Sequence, residues 1–77
     1  MSNSEKGTQD EMDREKFERA MNLIVHYIES AGYDAYYQIQ GYLLTDDETY
    51  ITRNGKAREY IRRLDKDMIQ KYINRMR

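Results

Sequence analysis

A chain of 77 residues with no Cys, no Pro and one His is at most one domain, and at this length a core buries only about 60% of the unfolded surface. Disulfides, thiolate metal centres and His-rich metal sites are excluded, which leaves association with a second chain as the common remaining route to stability, most often as a two-fold dimer. The net charge of −1 conceals a split: residues 1–50 carry 4 Lys/Arg against 11 Asp/Glu, a balance of −7, and residues 51–77 carry 9 against 3, a balance of +6.

That asymmetry has two readings. The basic end reads nucleic acid or an acidic partner, or the two halves pair with each other, within one chain or across a dimer. The opening MSNSEKGTQDEMDREK is polar and acidic, unlike a basic and then apolar leader. The run LIVHYI, interrupted by His26, is far shorter than the roughly 20 apolar residues of a membrane span. The expected setting is soluble and cytoplasmic.

Residues 1–11 lack apolar periodicity and read as a disordered arm, leaving 12–77 as a single helical domain. Phe17, Ala20, Met21, Ile24, Tyr27, Ile28 and Ala31 then recur at spacings of three and four, which predicts a first helix over 12–31. Asp10 or Asp13 suits its N-cap, and Gly32 suits the left-handed residue that ends it. Asp34 opens a second helix carrying Tyr36, Ile39, Leu43 and Tyr42 and ending near Thr45. Gly41 falls in its interior, where glycine costs about 1 kcal/mol relative to alanine. Such a glycine marks a close approach by another helix or another chain.

Beyond Asp46 and Asp47 the helical period breaks. TYIT is β-prone but short, and reads as an extended connection. Asn54-Gly55 signals a tight turn, and Ala57, Ile61 and Leu64 resume helical spacing, with Met68, Ile69, Tyr72, Ile73 and Met76 nearly in phase. Asp65 suits a new N-cap, so 56–76 reads as one helix or as two with a bend near Asp65, two being preferred. The fold class is all-α, a small bundle of about four short helices.

Catalytic chemistry needs convergent groups, and none stands out. His26 is two residues past Ile24 and points off the apolar face. The glycines of GYDAYYQIQG have the wrong spacing for a phosphate cradle. Asp46, Asp47 and Glu48 lack the alternating ligands and closing Glu of a calcium loop. No enzyme, cofactor or metal is therefore expected. Eight tyrosines against one phenylalanine suit either ordinary core filling or an interface, because the ring buries area while the hydroxyl stays wet. Arg58, Arg62, Arg63 and Lys66 could line a helix that follows phosphates, which makes a nucleic-acid-binding module the alternative function. The acidic overall balance argues against it.

From Gly32 onward the chain resembles the IreB family of small regulatory phosphoproteins of Gram-positive bacteria. The residues that carry the resemblance are Gly32-Tyr33, Gln38-Ile39, Gly41-Tyr42-Leu43-Leu44, Asp47, Tyr50-Ile51-Thr52, Ala57-Arg58, Ile61-Arg62, Leu64 and Asp67. The combination of QIxGYLL, YIT and ARxxIR at fixed spacing is the specific part. Ala35 and Glu48 stand where the family pattern has proline.

The resemblance implies a non-enzymatic regulator acting through protein contacts, a helical homodimer, and phosphorylation of a threonine in the N-terminal arm. It also implies a membrane-anchored Ser/Thr kinase in cell-wall stress signalling. Thr8 is the arm's one threonine, beside Ser2 and Ser4, and is the position onto which the modification carries over. Gly32 and Gly41 are expected to shape a turn and a close contact. Tyr33, Gln38, Ile39, Tyr42, Tyr50 and Ala57 are expected to build the fold or the dimer face. Arg58, Arg62 and Arg63 are expected to act as ion-pair partners or as a phosphate-docking cluster.

Overall fold

The structure, a computed structural model, describes residues 14–76. The expected disordered arm over 1–11, and Thr8 within it, lie outside the described residues. Four helices follow one another: α1 (Ser2–Ser30, described from Arg14), α2 (Ala35–Thr45), α3 (Ala57–Arg62) and α4 (Lys66–Asn74). A short 3-10 turn, Glu48–Tyr50, lies between α2 and α3, and no strand occurs among the described residues. The all-α architecture expected from the sequence is therefore the one observed.

Phe17, Met21, Ile24 and Ile28 form one stripe on α1 and are all buried, as spacings of four, three and four require. Ala35, Ile39 and Tyr42 face them from α2, Ala57 and Ile61 from α3, and Ile69 and Ile73 from α4. Ile51 reaches the same core from the connection. The α3 helix lies chiefly against α1, and α4 against α2. Seven isoleucines supply most of this interior, and burying each such side chain contributes about 1.5–3 kcal/mol. Of the residues expected on the apolar face of α2, Ile39 and Tyr42 are buried and Tyr36 and Leu43 pack at the margin of the core, while Ala35, not expected there, is buried as well.

Local chemistry sets the helix ends. Gly32 at φ 89 closes α1 in a Schellman arrangement, with Tyr33 N donating to Ile28 O at 3.2 Å and Gly32 N to Glu29 O at 3.0 Å. The Asp34 carboxylate accepts from Tyr37 N at 3.2 Å to start α2, and Asp65 accepts from Met68 N at 3.2 Å to start α4. Each such cap contributes about 1 kcal/mol. The Asp65 cap explains why 56–76 is two helices: its side chain takes up one of the N–H groups that a new helix leaves orphaned.

The connection expected to be simply extended is half helical. Asp47 accepts from Thr49 N at 3.0 Å, which winds Glu48–Tyr50 into a single 3-10 turn before Ile51 becomes extended. Asn54-Gly55 makes the tight turn before α3. Gly55 takes φ 60, and the Asn54 side-chain amide donates to Tyr27 O at 2.8 Å, tying the turn to α1.

Candidate functional site

The residues singled out between 38 and 58 converge on one segment, the irregular stretch Thr49–Asn54. Gln38 projects from α2, and its Oε1 accepts from Thr52 N at 2.8 Å. Arg58 projects from the first turn of α3, with its Nε donating to Ile51 O at 2.8 Å and its Nη2 approaching Thr49 O at 3.4 Å. Thr52 Oγ1 accepts from Asn54 N at 3.1 Å. Backbone groups that neither helix nor sheet satisfies thus find partners in two side chains, one from each flanking helix. The hydrogen bonds of Arg58 therefore go to carbonyls rather than to a carboxylate.

Gly41 belongs to the same assembly. A Cβ placed there would lie 2.6 Å from Cδ1 of Tyr50. The close approach expected at Gly41 is to an aromatic ring of the same chain, laid across α2 by the 3-10 turn. Gly55 has an even closer neighbour, since a Cβ there would meet the Tyr27 ring at 2.3 Å. Nothing in the spacing of residues pointed to Gly55, Thr52 or Asn54 as tertiary contacts; the Asn-Gly dipeptide signalled only the turn.

The other candidates separate into two groups. Ile39, Tyr42 and Ala57 are core residues, and Gly32 is the helix terminator already described. Tyr33 and Tyr50 are about half exposed, at 56% and 49%. Tyr37, Gly41 and Leu44 share one face of α2 at spacings of four and three, and Tyr37 and Leu44 are exposed as well. With Tyr33 at one end and Tyr50 covering Gly41, this face of α2 is aromatic and aliphatic.

Arg58, Arg62 and Arg63 stand in different surroundings, Arg58 bonding the carbonyls of Ile51 and Thr49. Arg62 pairs with Glu48 at 3.3 Å, and Arg63 is exposed. Lys66 bonds Asp46 and lies over the Tyr42 ring, 5.5 Å from its centroid. Arg75 pairs with Glu18 at 2.9 Å and covers the Tyr72 ring, whose hydroxyl donates to Asn22 at 2.8 Å. Every ion pair among the described residues joins an acid from the first 50 residues to a base from the last 27. The charge asymmetry is thus used, at least in part, to pair the two halves within one chain.

Electrostatics at the connection follow from these bonds. The Thr49 hydroxyl, donating at 2.7 Å, and the Thr49 N–H hold the Asp47 carboxyl below its usual range, with Arg58 adding to the effect. The hydrogen bond to Asp46 raises the Lys66 ammonium above its usual value. Burial raises the Tyr72 phenol, with Glu18 pushing the same way. Among the described residues, no three His, Asp or Glu side chains gather where they could hold a metal ion, and no helix is long and apolar enough to cross a membrane.

The arrangement suits recognition: a rigidly held connection flanked by exposed tyrosines, with its carbonyls and amides fixed by Gln38 and Arg58. The family described as IreB regulatory phosphoprotein matches residues 3–76, nearly the whole chain, and the chain belongs to that family.

Proposed function

We propose that this IreB-family chain is a regulator without catalytic activity of its own, which works through contacts with other proteins and is switched by phosphorylation of Thr8. The modifying enzyme is a membrane-anchored Ser/Thr kinase that reports on the state of the cell wall, and the chain acts in the cytoplasm as a homodimer. Family membership supports the regulatory, phosphorylated character. The observation that carries the protein-contact reading is the α2 face with Tyr33, Tyr37, Leu44 and Tyr50 exposed. Tyrosine offers large, stiff contact area while keeping its hydroxyl solvated, the combination enriched at protein interfaces.

The decisive experiment incubates the full chain with ATP and the cytoplasmic catalytic domain of its host's wall-sensing kinase, then locates phosphate by mass spectrometry. Phosphate on Thr8, absent from Thr8→Val, is the expected result. Phosphate elsewhere, or none, removes the switch from this reading. Sedimentation across a concentration series tests the homodimer, and a Leu44→Asp variant tests whether the α2 face forms it.

A further inference from the structure

Resting on the reading of Thr8 as the modified residue, we infer that the cleft between the C-terminal end of α1 and the Thr49–Asn54 connection is a phosphoryl site. Its ligand is the phosphorylated segment around Thr8 of a second copy of the chain. The cleft has a volume of about 480 Å³ and is lined by Tyr33, Gln38, Thr49, Thr52, Arg53 and Arg58, with Ala31 and Ile51 at its apolar edge.

Its chemistry is that of an anion receptor. Arg58 has five N–H donors, and two atoms of its guanidinium are engaged with the carbonyls of Ile51 and Thr49. Those bonds fix its plane beside the cleft and leave donors over. Arg53 is exposed and forms no ion pair among the described residues. The Oε1 of Gln38 is taken by Thr52 N, so its NH2 group remains a donor. Thr52 Oγ1 accepts from Asn54 N and keeps its own proton to donate. Among the described residues, no carboxylate lines the cleft. The nearby acid that acts on Arg58, Asp47, has its carboxylate turned to the N–H and hydroxyl of Thr49. By contrast, the surface cleft containing Arg14, Arg19 and Arg75 also holds Glu15 and Glu18, which would repel an anion.

A phosphomonoester, with close to two negative charges and three acceptor oxygens, matches two arginines and a fan of neutral donors. Reach decides which copy supplies it. From Arg14 to Ala31 the helix advances about 25 Å at 1.5 Å per residue. The six residues back from Arg14 to Thr8 span only about 20 Å when fully extended. The phosphothreonine and arginine side chains can bridge the remaining gap only with those six residues pulled taut back along α1, which costs chain entropy, so a neighbouring copy, free of that constraint, provides it.

The test titrates the full-length chain with a synthetic peptide of residues 2–13 phosphorylated at Thr8, with the same peptide unmodified, and with inorganic phosphate. The phosphopeptide is expected to bind at least about tenfold more tightly than either control, a difference of about 1.4 kcal/mol, and to weaken steeply with salt. Arg53→Gln, which removes an exposed cation and no side-chain bond among the described residues, is expected to abolish most of that preference with the melting temperature unchanged. Equal binding of the two peptides overturns the inference, as does an unaltered affinity in Arg53→Gln. Inorganic phosphate binding as tightly as the phosphopeptide overturns the assignment of a peptide ligand. Because the phosphate is placed synthetically, these outcomes are independent of whether the kinase modifies Thr8.

Discussion

The ring of Tyr50 occupies the space that a side chain on residue 41 would need, with its Cδ1 2.6 Å from the position of a Cβ there. Gly41 lies inside α2 with ordinary helical geometry, so alanine at this site gains about 1 kcal/mol of helix propensity. The ring that obstructs it is half exposed and has solvent to swing into. Gly41→Ala is therefore expected to change stability by less than about 1 kcal/mol while displacing Tyr50. Urea denaturation reads the first effect, and the ring resonances of Tyr50 in NMR read the second.

Gly55 should behave differently. It combines φ 60 with a Tyr27 ring 2.3 Å from any Cβ, and that ring is only partly exposed and packs against the core. Left-handed geometry alone costs about 1–2 kcal/mol for an L-residue, and overpacking adds about 1–3 kcal/mol. Gly32, at φ 89 with nothing within 4 Å, carries the first penalty without the second. The expected order of destabilisation, by urea midpoint, is Gly55→Ala, then Gly32→Ala, then Gly41→Ala.

Arg58→Lys keeps the charge and loses the fork. An ammonium cannot reproduce the planar pairing with the carbonyls of Ile51 and Thr49, and leaving a partly buried carbonyl without its donor costs about 1–3 kcal/mol. A loss in that range is expected for Arg58→Lys. Gln38→Leu, which orphans the Thr52 N–H, should cost about as much. Hydrogen exchange at Thr52 should accelerate in the Gln38 variant before the rest of the chain responds. Unchanged protection there would mean that the bond between Gln38 and Thr52 holds nothing in place.

The Glu48–Arg62 and Glu18–Arg75 pairs are solvent-exposed, and such pairs typically contribute about 0–1 kcal/mol each. Arg75→Ala is thus expected to lower stability by less than about 1 kcal/mol, and added salt to have a comparably small effect on the thermal midpoint.

Two groups give these surfaces a pH dependence with opposite signs. The Asp47 carboxyl is depressed below 3.8, so its contribution is present above that value and disappears as pH falls through the lowered folded-state pKa. The Lys66 ammonium is raised above 10.5, so its contribution is present below that value and disappears as pH rises through the raised one. Carboxyl chemical shifts across an acid titration check the first, and Asp47→Asn should remove it. Lys66→Met should flatten the alkaline limb of the stability profile.

Much of this arrangement was legible in the sequence wherever one residue's chemistry acts on its near neighbours. The α1 stripe, the Gly32 terminator, the Asp34 and Asp65 caps and the division of α3 from α4 all follow from local spacing. Gly41 was legible as a close contact, though not as one with Tyr50. What local spacing does not carry is side-chain bonding to irregular backbone. Gln38 reaches 14 residues ahead, Arg58 seven and nine residues back, and Asn54 reaches back 27 to Tyr27. Helical periodicity records which face a residue occupies, and it is silent on which distant carbonyl a guanidinium will find. On α2, Ile39 and Tyr42 are in the core as expected, whereas Ala35, small and just inside the cap, signals little by itself yet is also buried.

The pairing of acids from the first half with bases from the second has a consequence for synthesis. As the chain emerges, its acidic half is exposed first and lacks both its counter-charges and two walls of its interior. Ile69 and Ile73, both fully buried, and Arg75, which clasps Glu18 across 57 positions, are made after the rest of the core. Until they leave the ribosome, the apolar stripe of α1 has only part of its cover. A ribosome stalled before residue 69 would hold out a partly uncovered helix to the cell's chaperones and proteases.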